Sequence, residues 1–220
     1  MDFDRNLREL LDRDNVAKNP SRAQLIRDTI THKEAVVCSS GALATWTPRE
    51  STGRSPKDTV IVRRAASEAG IDWDSPNNNP IGEDTFDRIL DDAFATLRGK
   101  RRLYEIDRVV GADSKYALPI KLVTDRALTS LFADNMFRAV PADLARSLFA
   151  ERPFHLLALP YDKLDPKRYD GRLRLDPATK KTSTMVIGMD LDRRIGVVYG
   201  SAYCGSVKKM IFSVMNYYLP

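Results

Sequence analysis

Apolar and polar residues along this chain fall into two rhythms, one near 3.6 and one near 2, and the change from one to the other marks its elements. Phe3, Leu7, Leu10 and Leu11 recur at helical spacing and predict a short N-terminal helix. Ser21, directly after Pro20, reads as the N-cap of a second helix running to about Thr31. Residues 35–38 and 42–46 read as short strands around a Ser39-Ser40-Gly41 turn, and 59–62 as a further strand. The stretch 74–82 holds three asparagines and two prolines and reads as a surface loop. Phe86, Ile89, Leu90, Ala93, Phe94 and Leu97 form one apolar helical face, which stops near Gly99.

Strands are predicted next at 103–106 and 118–123, with Gly111-Ala112-Asp113 turning between them. Thr124 is the expected cap of a helix through about Ala133. Residues 154–159 and 185–191 read as buried strands, the latter pairing with 195–199 across Asp192-Arg193-Arg194. Residues 163–181 are polar and irregular, and 205–217 should be a helix opened by a glycine-rich turn. No repeat or linker interrupts this order. Intermixed strands and helices predict a single α/β sandwich domain over 1–220, built on a mixed β-sheet.

Composition narrows the function classes only slightly. The chain has 220 residues, 43% of them hydrophobic and 30% charged, ordinary values for a globular protein with a sizeable core. Thirty-five basic and 30 acidic residues leave a net charge of +5. The excess is spread through short runs such as Arg63-Arg64 and Lys180-Lys181 rather than gathered in a stripe, so no nucleic-acid partner is expected and an anionic small substrate fits as well. Cys38 and Cys204 stand far apart, and with only His32 and His155 they make no zinc spacing. A reducing cytoplasm is therefore the expected compartment. No apolar run is long enough to span a bilayer, and the acidic N-terminus lacks the apolar core of a signal peptide.

Two segments carry candidate chemistry. Gly200-Ser201-Ala202-Tyr203-Cys204-Gly205-Ser206-Val207-Lys208-Lys209 runs from strand through glycine turn into helix, where backbone N–H groups attract anions. Its Gly200-x4-Gly205 spacing approaches a phosphate loop. Ser206 stands where that motif needs lysine, so it is not read as one, and no G-x4-G-K-[ST] occurs elsewhere. In Thr52-Gly53-Arg54-Ser55-Pro56-Lys57-Asp58, Gly53 is expected to turn the backbone tightly and Pro56 to stiffen it. Arg54 offers a planar fork suited to carboxylate or phosphate. Taken singly, these segments also read as a strand–helix corner with surface lysines and a polar loop with an ion pair.

Together they resemble the ATP-dependent phosphoenolpyruvate carboxykinase family, whose signature loop Thr52–Asp58 is similar to. Further segments resemble the family in the same order: Asn19-Pro20-Ser21-Arg22-Ala23-Gln24-Leu25, Gly111-Ala112-Asp113, Leu131-Phe132-Ala133-Asp134-Asn135-Met136-Phe137, and Lys208-Lys209 with Phe212 to Pro220. The likeness runs from about Asn19 to Pro220. It implies the family's N-terminal, substrate-binding domain and the gluconeogenic conversion of oxaloacetate and ATP to phosphoenolpyruvate, CO2 and ADP. It also implies that Arg54 grips the substrate carboxylate or phosphoenolpyruvate. Tyr203 would sit beside the substrate and departing CO2, and Lys208 would touch the reacting oxygens. Lys209 would bind Mn2+ through a neutral amine, which requires its pKa to be driven down. Mg2+–ATP completes the family's cofactors.

The resemblance has gaps. The family's P-loop, metal-binding histidine and aspartate, and second arginine follow the position of Pro220, so the chain alone is expected to lack an ATP site and a C-terminal half. Tyr203-Cys204-Gly205-Ser206 replaces the usual Tyr-Ala/Gly-Gly-Glu, which removes a charge beside the two lysines. Lys121 stands where the family often has arginine, His155 reads as a core or edge histidine, and Cys204 reads as packed, with a reactive thiol as the alternative. A second possibility therefore stays open: a stand-alone, non-catalytic domain that binds or senses a dicarboxylate or phosphoenolpyruvate.

Overall fold

The apolar faces predicted above meet on a twisted sheet. The computed structural model describes residues 1–177 and 179–219. Strands β1 (Val16–Lys18), β2 (Val36–Val37), β3 (Leu43–Ala44), β4 (Thr59–Val62) and β5 (Asn79–Ile81) occupy the first part of the chain. Strands β6 (Leu103–Val110), β7 (Leu118–Thr124), β8 (Phe154–Leu159), β9 (Val186–Asp190) and β10 (Ile195–Tyr199) follow. Among the described residues five α-helices accompany them: α1 (Phe3–Leu11), α2 (Arg22–Thr31), α3 (Glu83–Arg98), α4 (Ala127–Met136) and α5 (Gly205–Tyr218). Eight strands form one sheet in the order β1-β6-β7-β8-β10-β9-β4-β5, and β2 and β3 form a separate small hairpin. Within the large sheet β6–β7 and β9–β10 pair antiparallel and the other described neighbours pair parallel, so it is mixed as expected and mostly parallel.

Helix signals act where the sequence places them. The Asp2 carboxylate accepts from the Arg5 N–H at 3.0 Å, and Ser21 Oγ accepts from the Gln24 N–H at 3.2 Å. Helix α3 carries Glu83 and Asp84 in its first turn and Arg98 in its last, matching its dipole. Its buried face packs with Phe3, Leu7 and Leu10 of α1 against Val186, Ile195 and Val197. On the opposite face, Met210, Ile211 and Val214 of α5 cover Ile187, Met189 and Val198. Alternate residues of β9 and β10 thus feed two cores, which is why these strands read as continuous apolar runs. Gly196 makes room for α5: a Cβ there would lie 2.5 Å from Met210 Sδ and 2.9 Å from Phe154 Cε1.

Three expectations are corrected, and one strand was not expected. The stretch 74–82 contains β5, which pairs parallel with β4 at the sheet edge, where the missing N–H of Pro80 is tolerated. Strand β1, at the other edge, is three residues long, too short for a period to show. Thr124 ends β7 rather than capping α4. Its hydroxyl accepts from Arg126 N–H at 3.3 Å, while the Leu128 N–H at the start of α4 donates to Glu34 Oε2 at 2.8 Å. A carboxylate 94 residues away does the capping, which no local pattern predicts. Strand β6 also runs four residues past the expected 106. Among the described residues no helix is long and apolar enough to cross a membrane.

His155 lies on β8 with its ring 5.5 Å from that of Phe3, and its buried Nδ1 has no hydrogen-bond partner among the described residues. Burial, then the charge of Lys121, holds its pKa below 6.5, against opposing pulls from Asp4 and Asp107. The neutral ring is the folded form, so the unfolded chain takes up the proton first as pH falls. Stability should therefore be full above about pH 6.5 and decline as pH drops toward the depressed folded value. Urea midpoints measured from about pH 7 to about pH 5 should fall in the parent and fall less in His155→Phe. Parallel curves would remove His155 as the cause.

Candidate functional site

The two candidate segments are neighbours in space. Single 3₁₀ turns at Arg49–Ser51 and Pro56–Asp58 shape the first of them. Pro56 opens the second turn, where its fixed φ is suited. The expected role of Gly53 is not found. Its φ lies outside the left-handed region and a Cβ on it would meet nothing within 4 Å, because the flanking 3₁₀ turns already bend the chain. Gly200 does need to be glycine, with φ +80° and a Cβ position 3.0 Å from Thr184 O.

Asp58 anchors the loop. Its buried carboxylate takes both arms of Arg174, Nε at 2.9 Å and Nη2 at 3.1 Å, and also accepts from Ser55 Oγ. Asn79 Nδ2 donates to Pro56 O at 3.0 Å and Thr59 O at 2.8 Å. The ion pair expected in this loop is therefore Asp58–Arg174, and the hydrogen bonds that Arg174 donates to Asp58 hold the Arg174 pKa above its ordinary value. Arg54 itself is exposed and has no ion-pair partner among the described residues.

Arg54 and Lys209 line one cleft of about 740 Å3. Ile61, Ile187, Met189 and Met210 make its floor, and Ser55, Thr59, Asn77, Asn78, Ser206 and Ser213 supply polar groups. The lining holds two cations and no carboxylate. A neighbouring cleft of about 700 Å3 mixes Lys167, Arg174 and Lys181 with Glu50, Asp58, Asp170 and Asp176, so it has no comparable bias. The first is thus the better site for a small anion, with its charges facing an apolar floor.

Tyr203 and Lys208 lie outside the lining of that cleft. Tyr203 is half-buried and folds its ring over Gly205, while Lys208 is exposed on α5. Lys209 Nζ stands 4.2 Å from the centre of the Phe212 ring, a cation–π geometry. Among the described residues no three His, Cys, Asp or Glu side chains converge as a metal would need. Lys209 is a single nitrogen in a cleft without carboxylates, so these residues do not by themselves make a site for Mn2+.

The departures have clear structural roles. Ser206 exchanges a hydrogen bond of 2.7 Å with Ser201 inside the turn, a neutral buried pair. Burial pushes the Cys204 thiol up to about 11, so at neutral pH it is protonated and inert, as a packed cysteine should be. Lys121 sits between Asp107, at 2.7 Å, and Glu105. Burial opposes its charge, but these two carboxylates raise its pKa overall. It grips two separate acids where an arginine would offer a fork, and it lies away from the Arg54 cleft.

Other matched segments support one another. Asn19, at φ 45°, donates to Asp107 Oδ2 and accepts from the Asp107 N–H, each at 2.8 Å. Arg22 Nε donates to Asp134 Oδ2 at 2.6 Å, which joins the Asn19 segment to the Leu131–Phe137 segment. Sequence reasoning missed Ser51 and Arg174, whose partners lie 151 and 116 residues away. The only available hint for Arg174 was the polar run of 163–181.

The sequence model of the family described as phosphoenolpyruvate carboxykinase matches residues 14–220. The chain is 35% identical over 220 residues to the phosphoenolpyruvate carboxykinase (ATP) of Bacillus subtilis, covering 100% of this chain and 39% of that protein. It is 36% identical over 212 residues to that of Geobacillus kaustophilus, covering 96% of this chain and 37% of the relative. Against the Allorhizobium ampelinum protein it is 38% identical over 210 residues, 94% of this chain and 35% of the relative. The chain thus spans less than two fifths of the length of these relatives.

Proposed function

This chain belongs to the phosphoenolpyruvate carboxykinase family, and on that premise we propose that residues 1–220 form its N-terminal substrate-binding domain. The reaction it serves is oxaloacetate and ATP to phosphoenolpyruvate, CO2 and ADP, in a cytoplasmic, gluconeogenic setting. The observation that carries this reading is the cleft holding Arg54 and Lys209 with no carboxylate in its lining. A dicarboxylate or phosphoenolpyruvate placed there would meet a guanidinium fork and an ammonium in one lining.

Loss of CO2 from oxaloacetate leaves an enolate, and fixed cations stabilise that developing oxyanion. Arg54 holds the carboxylate that does not react. Lys209 lines the cleft and would meet the oxygen that becomes negative; Tyr203 and Lys208 lie outside that lining, so their side chains must turn toward it to reach the departing CO2 and the same oxygen. The family's Mn2+ and Mg2+–ATP require ligands beyond Lys209, contributed by polypeptide other than these residues. What this chain's own residues do is bind and orient the anion.

The test is calorimetric titration with oxalate or phosphoenolpyruvate. Arg54→Ala should weaken binding by about 10- to 100-fold, the value of hydrogen bonds to a charged group. Equal affinity in parent and variant would remove Arg54 from the site. The second reading, a non-catalytic domain that binds or senses the same anions, is favoured by the neutral Ser201–Ser206 pair standing where a charge is usual in the family. Complementation separates the two: an enzyme part mixed with the C-terminal remainder of a family member restores oxaloacetate-dependent phosphoenolpyruvate formation, and a sensing module binds oxalate but restores none.

A further inference from the structure

Ser51 ends the 3₁₀ turn just before the Arg54 loop and is 2% exposed. Its Oγ accepts from the Ala202 N–H at 2.7 Å and the Tyr203 N–H at 3.3 Å. A hydroxyl has two lone pairs, so one atom satisfies both donors. Among the described residues neither amide has another partner. Both belong to the turn between β10 and α5, whose far side is closed by the Ser201–Ser206 hydroxyl pair. Among the described residues the turn is hydrogen-bonded to the loop through this one buried oxygen. Arg54 stands three residues beyond that oxygen on one chain segment, and Tyr203, Lys208 and Lys209 follow it on the other.

We propose that Ser51 is a positioning residue which sets the separation between Arg54 and the Tyr203–Lys209 turn. It touches no substrate. It acts by fixing two backbone amides, so the cationic loop and the helix start present one anion site instead of two independent ones. An anion gripped from two sides needs both held before it arrives, and a displacement of about 1 Å can cost up to 100-fold. The role in anion binding rests on the proposed function. The role as a clamp between the two segments stands apart from it.

The test uses the full chain with Ser51→Ala and Ser51→Thr, read by amide hydrogen exchange and by oxalate titration. In the parent, the Ala202 and Tyr203 amides should exchange slowly, as paired buried donors do. In Ser51→Ala those two should exchange about tenfold faster or more while β8 and β10 amides keep their rates. Oxalate affinity should fall about tenfold, and Ser51→Thr, which keeps the oxygen, should restore most of it. Fast exchange of both amides in the parent overturns the clamp, and that arm needs no variant to fold. Uniformly faster exchange across the sheet in Ser51→Ala, with unchanged oxalate affinity, reduces Ser51 to ordinary stability and overturns the positioning role. If parent and Arg54→Ala bind oxalate equally, the substrate-site reading fails, and the exchange data still decide the clamp.

Discussion

Replacing Asp190 with alanine should cost about 3–5 kcal/mol of stability, the penalty for breaking a buried ion pair on one side only. Asp190 ends β9 and is fully buried. Its Oδ2 accepts from Arg64 Nε at 2.9 Å and Arg193 Nε at 2.6 Å, and its Oδ1 accepts from the Arg193 N–H at 3.0 Å. Arg64 also pairs with Glu83, and Arg193 lies 2.6 Å from Asp87 as an ion pair. Both acids sit on α3, so this one carboxylate holds the sheet, the β9–β10 turn and the helix together. The substitution leaves two guanidinium groups, 19% and 25% exposed at the side chain, without their shared anion. Stability of a domain this size is about 5–15 kcal/mol, so the loss is a large share of it. Urea unfolding should show a lower midpoint with an unchanged slope. Asp190→Asn keeps an oxygen for the Arg193 N–H and should lose less. A loss under about 1 kcal/mol in Asp190→Ala would mean that water solvates both arginines and the network adds little.

Why some of this was legible in the sequence, and some not, follows from the range of the interactions. Helices α1, α2 and α3 were readable because each carries its own signal: the spacing of Phe3, Leu7, Leu10 and Leu11, Ser21 at a cap, or the repeat from Phe86 to Leu97. The β9–β10 hairpin was readable because each strand feeds both cores and therefore stays apolar throughout. Strand β5 was not, because edge pairing to β4 gives Asn79-Pro80-Ile81 its conformation against local preference. The start of α4 was misread for a similar reason: its cap is Glu34, on a different segment. The same division holds at the site. Arg54 and Lys209 were visible as residue types in suggestive turns, and the fold brings them to one cleft. Ser51 and Arg174 were invisible, since a serine or arginine acquires its role only when the partner amide or carboxylate arrives from more than 100 residues away.

Gly205→Ala should leave the fold intact and weaken anion binding by about tenfold or more, a separation of effects that few substitutions near a helix start allow. Gly205 is the first residue of α5, and its φ is not in the left-handed region. Alanine is therefore acceptable to the backbone there, and by helix propensity it is favourable by up to about 1 kcal/mol. The obstacle is Tyr203. A Cβ at position 205 would lie 2.2 Å from Tyr203 Cε1, 2.5 Å from Cζ and 2.8 Å from the hydroxyl oxygen. These atoms belong to a half-buried ring at the end of a rotatable side chain, so the ring swings away while the backbone stays. Its amide remains tied to Ser51, at 3.3 Å, which confines the change to the side chain. The thermal midpoint should be unchanged or slightly raised, with oxalate affinity reduced. Tyr203→Ala in the Gly205→Ala background should then add little, because the ring has already left its place over position 205. If Gly205→Ala binds oxalate like the parent, Tyr203 has no part in holding the anion. Its place over the glycine would then serve only to pack the start of α5.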